Sequence, residues 1–148
     1  MSAKIFPTAQ DAENAFYEAL ERCDLDGMMA VWAEDEDIFC VHPTGGRLTG
    51  QDQVRESWAQ MFAAGPRARL QVSQPVAIAG MMLAVHSVFE NFSLEGAAPG
   101  DARPAPIVAT NVYLRTTAGW RMIVHHASPA PGQPAPAAPR TAPPKMLH

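Results

Sequence analysis

Two stretches near the N-terminus place their apolar residues on one side of a helix. Thr8 followed by Asp11 resembles a capping box, and apolar residues then recur every three or four positions, which predicts a helix from Thr8 to Arg22. Asp24 is the expected N-cap of a second helix, after which the helical spacing of apolar residues begins again. The second, shorter apolar stripe consists of Leu25, Met28, Met29 and Trp32.

A third helix follows a short strand. The segment from Asp37 to His42 reads as the strand, and a turn with two glycines, Pro43 to Gly46, comes after it. Thr49 and Asp52 repeat the capping pattern, and the new helix ends at Gly65 before a proline. Its apolar stripe consists of Val54, Trp58, Met61 and Phe62.

Beyond this point the apolar period changes from 3.6 to 2, which is typical of strands. Four strands are predicted: Arg67 to Ile78, Met82 to Leu94, Ile107 to Arg115 and Trp120 to Ser128. The element order is therefore α-α-β-α-β-β-β-β. Helices followed by a run of strands predict the α+β class, with three helices packed against a curved, mainly antiparallel sheet.

The size and composition of the chain favour one folded domain with a tail. The chain has 148 residues, of which 47% are hydrophobic, and this is enough for one core. We assign residues 1–128 to the domain and 129–148 to a tail rich in proline and alanine, which should be extended.

The charge pattern argues against nucleic acid and membranes as partners. The net charge is −4, and the eleven Lys and Arg residues form no basic run. No apolar run of 18 residues and no leader-like segment occurs, so we expect a cytoplasmic protein. Cys23 and Cys40 lie far apart and are expected to be free thiols.

Metal and cofactor motifs are not found. The acidic run from Glu34 to Asp37 has no glycine-defined loop or ligand spacing, so a solvated turn is favoured over a cation site. The chain also has no paired-histidine metal motif and no glycine-rich phosphate loop. We therefore expect neither a metal nor a cofactor.

Three side chains are candidates for chemistry. His42, at the end of the first strand, titrates near neutral pH and could act as a general base in a pocket, or could simply hydrogen-bond the glycine turn. Strand alternation sends His125 and His126 to opposite faces, so they cannot form one dyad. The Asn111 amide could donate to a ligand oxygen or only within the sheet.

Several aromatic and strand residues could line a pocket. Trp32 and Trp58 lie on apolar helix stripes, where a core role is commoner than a ligand platform. On the predicted second long strand, Val85, Ser87, Phe89 and Asn91 share one face that mixes apolar and polar groups, as small-ligand pockets do. His86, Val88 and Glu90 would then point outward.

Three segments carry a family resemblance. "AFYEALERCDLDGMMAVWAEDEDIFCVHP", "LTGQDQVRESWAQMF" and "TNVYLRTTAGWRMIVHHASP" resemble the SnoaL-like branch of the nuclear transport factor 2-like superfamily, also called ketosteroid isomerase-like or cystatin-like. The resemblance implies a conical α+β barrel with an internal pocket, and a homodimer formed through the outer face of the sheet. It also implies that Val124, His126 and Ser128 face inward, and that His125 faces outward.

The resemblance to ketosteroid isomerases limits the activity that can be transferred. The isomerase tyrosine falls on Phe16, which cannot donate a hydrogen bond. The isomerase base falls near His42, and the protonated aspartate falls on Asn111. Steroid isomerisation is therefore not expected.

Two functions remain open. The first is binding of a small apolar carbonyl or hydroxyl compound, with or without isomerisation, dehydration or cyclisation by proton transfer. In it His42 would be the base, and Asn111 and His126 would polarise the substrate oxygen. The expected ligand-binding residues are Phe16, Trp32, Trp58, Ser87, Phe89, Asn91, Tyr113 and Val124. The second is a non-catalytic module for homodimerisation or assembly, with a vestigial pocket.

Overall fold

The structure of the chain, a computed structural model, describes residues 4–65, 68–94, 96, 98, 104–132 and 145–146. Its helices are α1 (Ala9–Arg22), α2 (Leu25–Val31) and α3 (Gly50–Ala64). Its strands are β1 (Phe39–Val41), β2 (Arg47–Thr49), β3 (Ala68–Ala79), β4 (Leu83–Leu94), β5 (Ile107–Thr116), β6 (Gly119–Pro129) and β7 (Lys145–Met146). The predicted α+β class and the predicted order of the long elements are confirmed.

The helix starts follow the predicted capping residues. The Asp11 amide donates to Thr8 Oγ1 over 3.0 Å, and the Gly27 amide donates to Asp24 Oδ1 over 3.1 Å. Thr49 precedes α3 as predicted, but its side chain makes no capping hydrogen bond. Its own amide instead donates to Gln53 Oε1, 3.0 Å away.

The strands form one mixed sheet in the order β2-β1-β6-β5-β4-β3-β7. The four long strands pair antiparallel, whereas β1 lies parallel to β6 and β7 lies parallel to β3. The sequence did not predict β2, which is three residues long, or β7, which has two. Apart from β7, the predicted tail beyond Gly132 lies outside the described residues.

The core lies between α1 and one face of the sheet, which is called the inner face below. Phe16 of α1 and Tyr113 of β5 are fully buried there, together with Trp58 of α3. Gly119, in the β5–β6 turn, adopts φ +92, and a Cβ atom there would lie 2.9 Å from the Phe6 carbonyl oxygen. Glycine is therefore required where Phe6 of the N-terminal segment pairs with the start of β6.

A bulge in β6 changes which side chains face inward. Val112 pairs with Val124, but Tyr113 pairs with Met122, so Ile123 is an extra residue without a partner. Such a bulge interrupts strict alternation. Met122 and His125, three positions apart, are consequently both buried on the inner face.

Candidate functional site

A cluster of polar side chains is buried in the middle of the cone. Four strand residues take part in it, and α1, which packs against the inner face of the sheet, contributes two more. All are less than 10% exposed. The members are Glu13, Tyr17, His86, Glu90, Asn111 and His125, and Tyr113 joins them through its hydroxyl group.

Asn111 lies at the centre of the cluster. Its Nδ2 atom donates to Tyr17 Oη over 2.9 Å and to Glu13 Oε1 over 3.2 Å. Its Oδ1 atom lies 2.6 Å from His125 Nδ1. Both ends of the amide are therefore occupied, and this fixes the orientation of the side chain.

Glu13 collects donors on both carboxylate oxygens. The Tyr113 hydroxyl donates to Oε1 over 3.0 Å, beside the Asn111 amide. His86 Nδ1 lies 3.1 Å from Oε2, which is an ion-pair distance, although the angle does not meet hydrogen-bond geometry. Gln10 Nε2 also reaches Oε2, at 3.4 Å. Both oxygens of the buried Glu13 side chain thus accept hydrogen bonds, which offsets part of the free energy that its burial costs.

Glu90 has a different environment from Glu13. The Tyr17 hydroxyl donates to its Oε2 over 2.7 Å. Burial raises the pKa of Glu90 to about 7, the Tyr17 hydrogen bond opposes this rise, and the charge of Glu13 adds to it. Glu90 can therefore carry or release a proton near neutral pH.

His125 is neutral in the fold. The pKa of His125 is lowered to about 3, chiefly by burial and to a smaller extent by the neighbouring His42 and His126. Because Asn111 Oδ1 can only accept, His125 Nδ1 must carry the ring proton. The Nε2 atom is then the unprotonated nitrogen of the ring.

His42 lies beside this cluster rather than within it. Its ring packs edge-on against Trp58, with the centroids 4.6 Å apart, and Trp58 in turn lies against His125 at 5.9 Å. Its Nε2 atom lies 3.1 Å from Ser57 Oγ, and the Ser57 hydroxyl donates to the Val54 carbonyl group. Nε2 must therefore be the donor to Ser57, and burial lowers the pKa of His42.

Four of the five aromatic residues expected to line the pocket lie in the core, and the fifth, Phe89, does not. Phe16, Trp32, Trp58 and Tyr113 are each no more than 1% exposed. The indole Nε1 atoms of both tryptophans lack a hydrogen-bond partner among the described residues. The Trp58 indole stands between His42 and His125, and it is a donor that a ligand or a water molecule could use.

The predicted orientation of the two adjacent histidines is wrong. His126 is exposed and His125 is buried, because the bulge at Ile123 shifts the alternation of β6 by one residue. Val124 turns to the outer face for the same reason. His126 therefore does not meet Asn111 in the cone.

The predicted faces of β4 are also reversed. Ala84, His86, Val88 and Glu90 are buried, and the residues between them are partly exposed. Ser87, Phe89 and Asn91 therefore lie on the outer face, where Asn91 Nδ2 donates to the Gln71 carbonyl and to Ser73 Oγ. The sequence-based assignment failed because the outer positions of this strand are as apolar as the inner ones, so alternation alone does not identify the buried face.

Sequence reasoning missed Glu13, Tyr17, His86 and Glu90 as members of the site. Helical spacing contained a signal for two of them, since Glu13 and Tyr17 lie on the same stripe of α1 as the buried Phe16. No comparable signal existed for His86 and Glu90, because their inward orientation depends on which parity of β4 is chosen.

The described part of the chain contains neither a metal-binding cluster nor a helix that could span a membrane. No group of three or more His, Cys, Asp or Glu residues there could hold a metal ion. No helix within it is long and apolar enough to cross a membrane.

A separate shallow groove of about 370 Å³ lies outside the cone, along α3. It is lined by Leu48, Asp52, Gln53, Glu56, Ser57 and Gln60.

Comparisons with known proteins agree with this architecture. The family model of the SnoaL-like domain matches residues 10–132. A protein from Thiobacillus denitrificans, described as a candidate calcium/calmodulin-dependent protein kinase type II association domain, is 43% identical. The match covers 86% of this chain and 98% of that chain, with a TM-score of 0.78.

Two other solved structures are similar. A candidate dehydratase of the nuclear transport factor 2-like family from Streptomyces avermitilis is 31% identical, with a TM-score of 0.71, over 80% of this chain and 91% of that one. A candidate ketosteroid isomerase from Parabacteroides distasonis is 21% identical, with a TM-score of 0.66, over 83% and 88%, and supports the fold alone. A search of curated proteins found no match.

The fold and the buried polar cluster define a cone-shaped α+β domain. The chain belongs to the SnoaL-like domain family, within the nuclear transport factor 2-like group.

Proposed function

We propose that the cone binds a small, largely apolar molecule that carries a carbonyl or hydroxyl group. The observation that carries this proposal is the buried cluster around Asn111. Burying two carboxyl groups costs free energy even when they are hydrogen-bonded, so such a cluster is more typical of a binding or catalytic site than of a core built for stability alone.

The chemistry of the cluster suits a neutral ligand. Its members supply carboxyl, amide, imidazole and phenol groups, whereas no Lys or Arg belongs to the network among the described residues. The buried Trp58 indole adds a donor that has no partner in the part of the chain that the structure describes. An anionic ligand would therefore be disfavoured, while an apolar carbonyl compound could be bound.

The finer proposal is cofactor-independent proton transfer, which is the chemistry of isomerases, dehydratases and cyclases. The Streptomyces avermitilis relative is described as a candidate dehydratase, and this supports the same class of reaction. His42 stays a candidate base only through Nδ1, because Nε2 is engaged with Ser57.

The binding proposal can be tested with a library of small ketones and alcohols, screened by thermal shift and by native mass spectrometry. The variants are His42→Ala and Asn111→Leu, and His126→Ala is the matched control because that histidine faces solvent. We expect ligands to raise the Tm of the wild-type protein and of His126→Ala, and to have a smaller effect on the two inner variants. Equal ligand shifts in all four proteins would contradict a site in the cone.

A second function, homo-oligomeric assembly, is favoured by the outer face of the sheet. Five apolar residues on adjacent strands stand in register across this face, and all are only partly buried. This outer row consists of Phe39, Val124, Val112, Val85 and Ile78. An uncovered row of this kind is typical of an interface, and the Thiobacillus denitrificans relative is described as a candidate association domain.

Assembly can be tested by analytical ultracentrifugation of wild-type protein and of Val112→Lys. We expect the wild type to sediment as an oligomer and the variant to dissociate. Arg115→Lys, an exposed position on the same strand, serves as the control. A wild-type protein that remains monomeric at high concentration would contradict this second function.

A further inference from the structure

At one end of the inner face the apolar side chains of the described residues are only partly buried. Leu70, Val72 and Ile107 belong to the rim of the core, yet they are only partly buried, unlike the inner residues farther along the sheet. Phe92, which pairs with Leu70, is likewise partly buried. These four residues form an apolar mouth where β3 begins and β4 ends.

Glu90 is the first fully buried polar side chain behind this mouth. It stands in register between Val72 on β3 and Ile107 on β5, and only 2% of it is exposed. The inner residues that follow it along β4, Val88 and His86, are also buried. A molecule that entered past the apolar mouth would therefore meet the Glu90 carboxyl group first.

The hydrogen bonds of Glu90 leave one oxygen available. Tyr17 is its only hydrogen-bond partner among the described residues and contacts Oε2, so Oε1 has no donor from this part of the protein. Glu13, in contrast, is contacted through both oxygens. Two carboxyl groups in one buried site with such different surroundings are typical of a division of roles in proton transfer.

We propose that Glu90 is the proton-transfer residue of the cone and that Tyr17 is its positioning residue. The inference rests on the proposed binding of an apolar carbonyl compound. Glu90 Oε1, as carboxylate, takes the proton from a carbon next to the carbonyl group. The C–H electron pair becomes the new C=C bond, and the carbonyl π pair moves to oxygen as an enolate. In a ligand with a second C=C bond between the β- and γ-carbons, the oxygen electron pair then re-forms the C=O bond. The enolate C=C pair moves between the α- and β-carbons, and the former β,γ pair takes the proton from Glu90 at the γ-carbon, which completes an isomerisation.

The electrostatic surroundings of Glu90 suit this role. Burial is the largest cause that brings the pKa of Glu90 to about 7, and a base of that pKa is well matched to neutral pH. The titratable groups that influence it are Tyr17 and Glu13 of α1, and the nearby Cys40 of β1 feels its charge in return.

The test uses 5-nitrobenzisoxazole, a neutral apolar probe of buried bases. A base removes the ring C–H proton, the C–H electron pair forms a nitrile, and the N–O bond breaks to release a coloured phenolate. No other reactant is needed. We expect the wild-type rate to rise with pH through a midpoint near 7, following ionisation of Glu90. Glu90→Gln should lower the rate by about 100-fold or more, as is typical of a lost general base.

Tyr17→Phe separates positioning from a merely structural role. The Tyr17 hydrogen bond holds the pKa of Glu90 down, so its removal should move the midpoint of the rate profile to higher pH. A purely structural tyrosine would lower the rate at every pH and leave the midpoint unchanged. Carbon-13 NMR of the labelled Glu90 carboxyl group should show the same shift without any substrate. Glu18→Gln, an exposed glutamate on α1, is the control.

Equilibrium dialysis of the probe distinguishes the two proposals. If the probe binds wild type and Glu90→Gln and both turn it over at equal rates, the role of Glu90 is overturned and the binding site stands. If the probe does not bind at all, both proposals fail. A wild-type carboxyl titration far below pH 7 would also overturn the proton-transfer role.

Discussion

Each face of the sheet carries some side chains that are uncommon in their surroundings. Polar groups are buried beside the apolar core on the inner face, and a row of apolar groups lies on the outer face. On the inner face, Glu90, Asn111 and His125 are buried and hydrogen-bonded to one another or to α1. On the outer face, Val85 and Val112 pair directly and are partly exposed. Protein interiors are normally apolar and surfaces polar.

Each face therefore has a feature that folding of the monomer alone does not require. A polar interior lowers the free energy of unfolding unless every group is satisfied, and an apolar outer face leaves hydrophobic surface in contact with water. The inner face fits a site for a ligand, and the outer face fits an interface. The predictions below separate these roles by changing matched residues on the two faces.

The largest effect is expected from Asn111→Leu. The change would remove one hydrogen bond each from Glu13 and Tyr17, and it would leave His125 Nδ1 without a partner among the described residues. Because each unsatisfied buried polar group costs about 1 to 3 kcal/mol, we expect the free energy of unfolding to fall by about 3 kcal/mol or more. Urea denaturation followed by circular dichroism measures this loss.

Asn91→Leu is the matched control on the outer face. Asn91 also makes two hydrogen bonds, to Gln71 and Ser73, but it is only partly buried. Water can replace its partners, so the cost should be about 1 kcal/mol or less. Equal losses in the two variants would contradict the special position of Asn111.

The second prediction concerns the pH dependence of stability. The pKa of Glu90 is raised to about 7 in the folded state, so the folded protein holds a proton there that the unfolded chain releases above its ordinary range near 4.5. This contribution to stability is fully present below pH 4.5 and is lost as pH rises to 7. Glu90→Gln should therefore gain stability relative to wild type across that window, by at most about 3 kcal/mol.

The titration of His125 changes the free energy of unfolding in the direction opposite to that of Glu90 in the same pH range. The pKa of His125 is about 3 in the fold, so stability is lost as pH falls from 6.5 towards 3. Between pH 4.5 and 6.5 these two slopes have opposite signs and offset each other. Glu90→Gln should consequently expose a loss of stability on acidification, and the exposed Glu18→Gln should not. Parallel pH profiles for Glu90→Gln and wild type would contradict a perturbed Glu90.

The third prediction uses the two adjacent histidines. His125→Ala removes a buried ring that contacts Phe16, Trp58 and Asn111, and should cost about 2 kcal/mol or more. His126→Ala changes an exposed side chain, and a surface change of this kind is usually within about 0.5 kcal/mol. Thermal unfolding at low protein concentration compares them. A larger effect from His126→Ala would contradict the inward orientation of His125 and the bulge at Ile123.

The sequence predicted the elements better than the orientation of their side chains. Helix starts at Thr8 and Asp24 follow from local capping chemistry, which nearby residues determine completely. The inward position of His125 depends on a one-residue bulge, and the alternation of residues in β6 does not indicate an extra residue at Ile123. The buried position of Glu90 was missed because a charged residue in an apolar strand is usually assigned to the outer face unless its partner on α1 is known.

The smallest effect is expected from Val85→Thr on the outer row. Val85 is partly exposed, so its hydroxyl replacement can be hydrated, and the monomer should lose less than about 1 kcal/mol. Val88→Thr on the inner face of the same strand is the matched variant, since Val88 is 1% exposed and the buried hydroxyl should cost about 1 to 3 kcal/mol.

The two variants should differ more clearly in Tm as protein concentration rises. If a second copy covers the outer row, the Tm difference between Val85→Thr and wild type should grow with concentration, whereas the Val88→Thr difference should stay constant. A Val85→Thr difference that is independent of concentration would mean that the apolar outer face stays open to solvent.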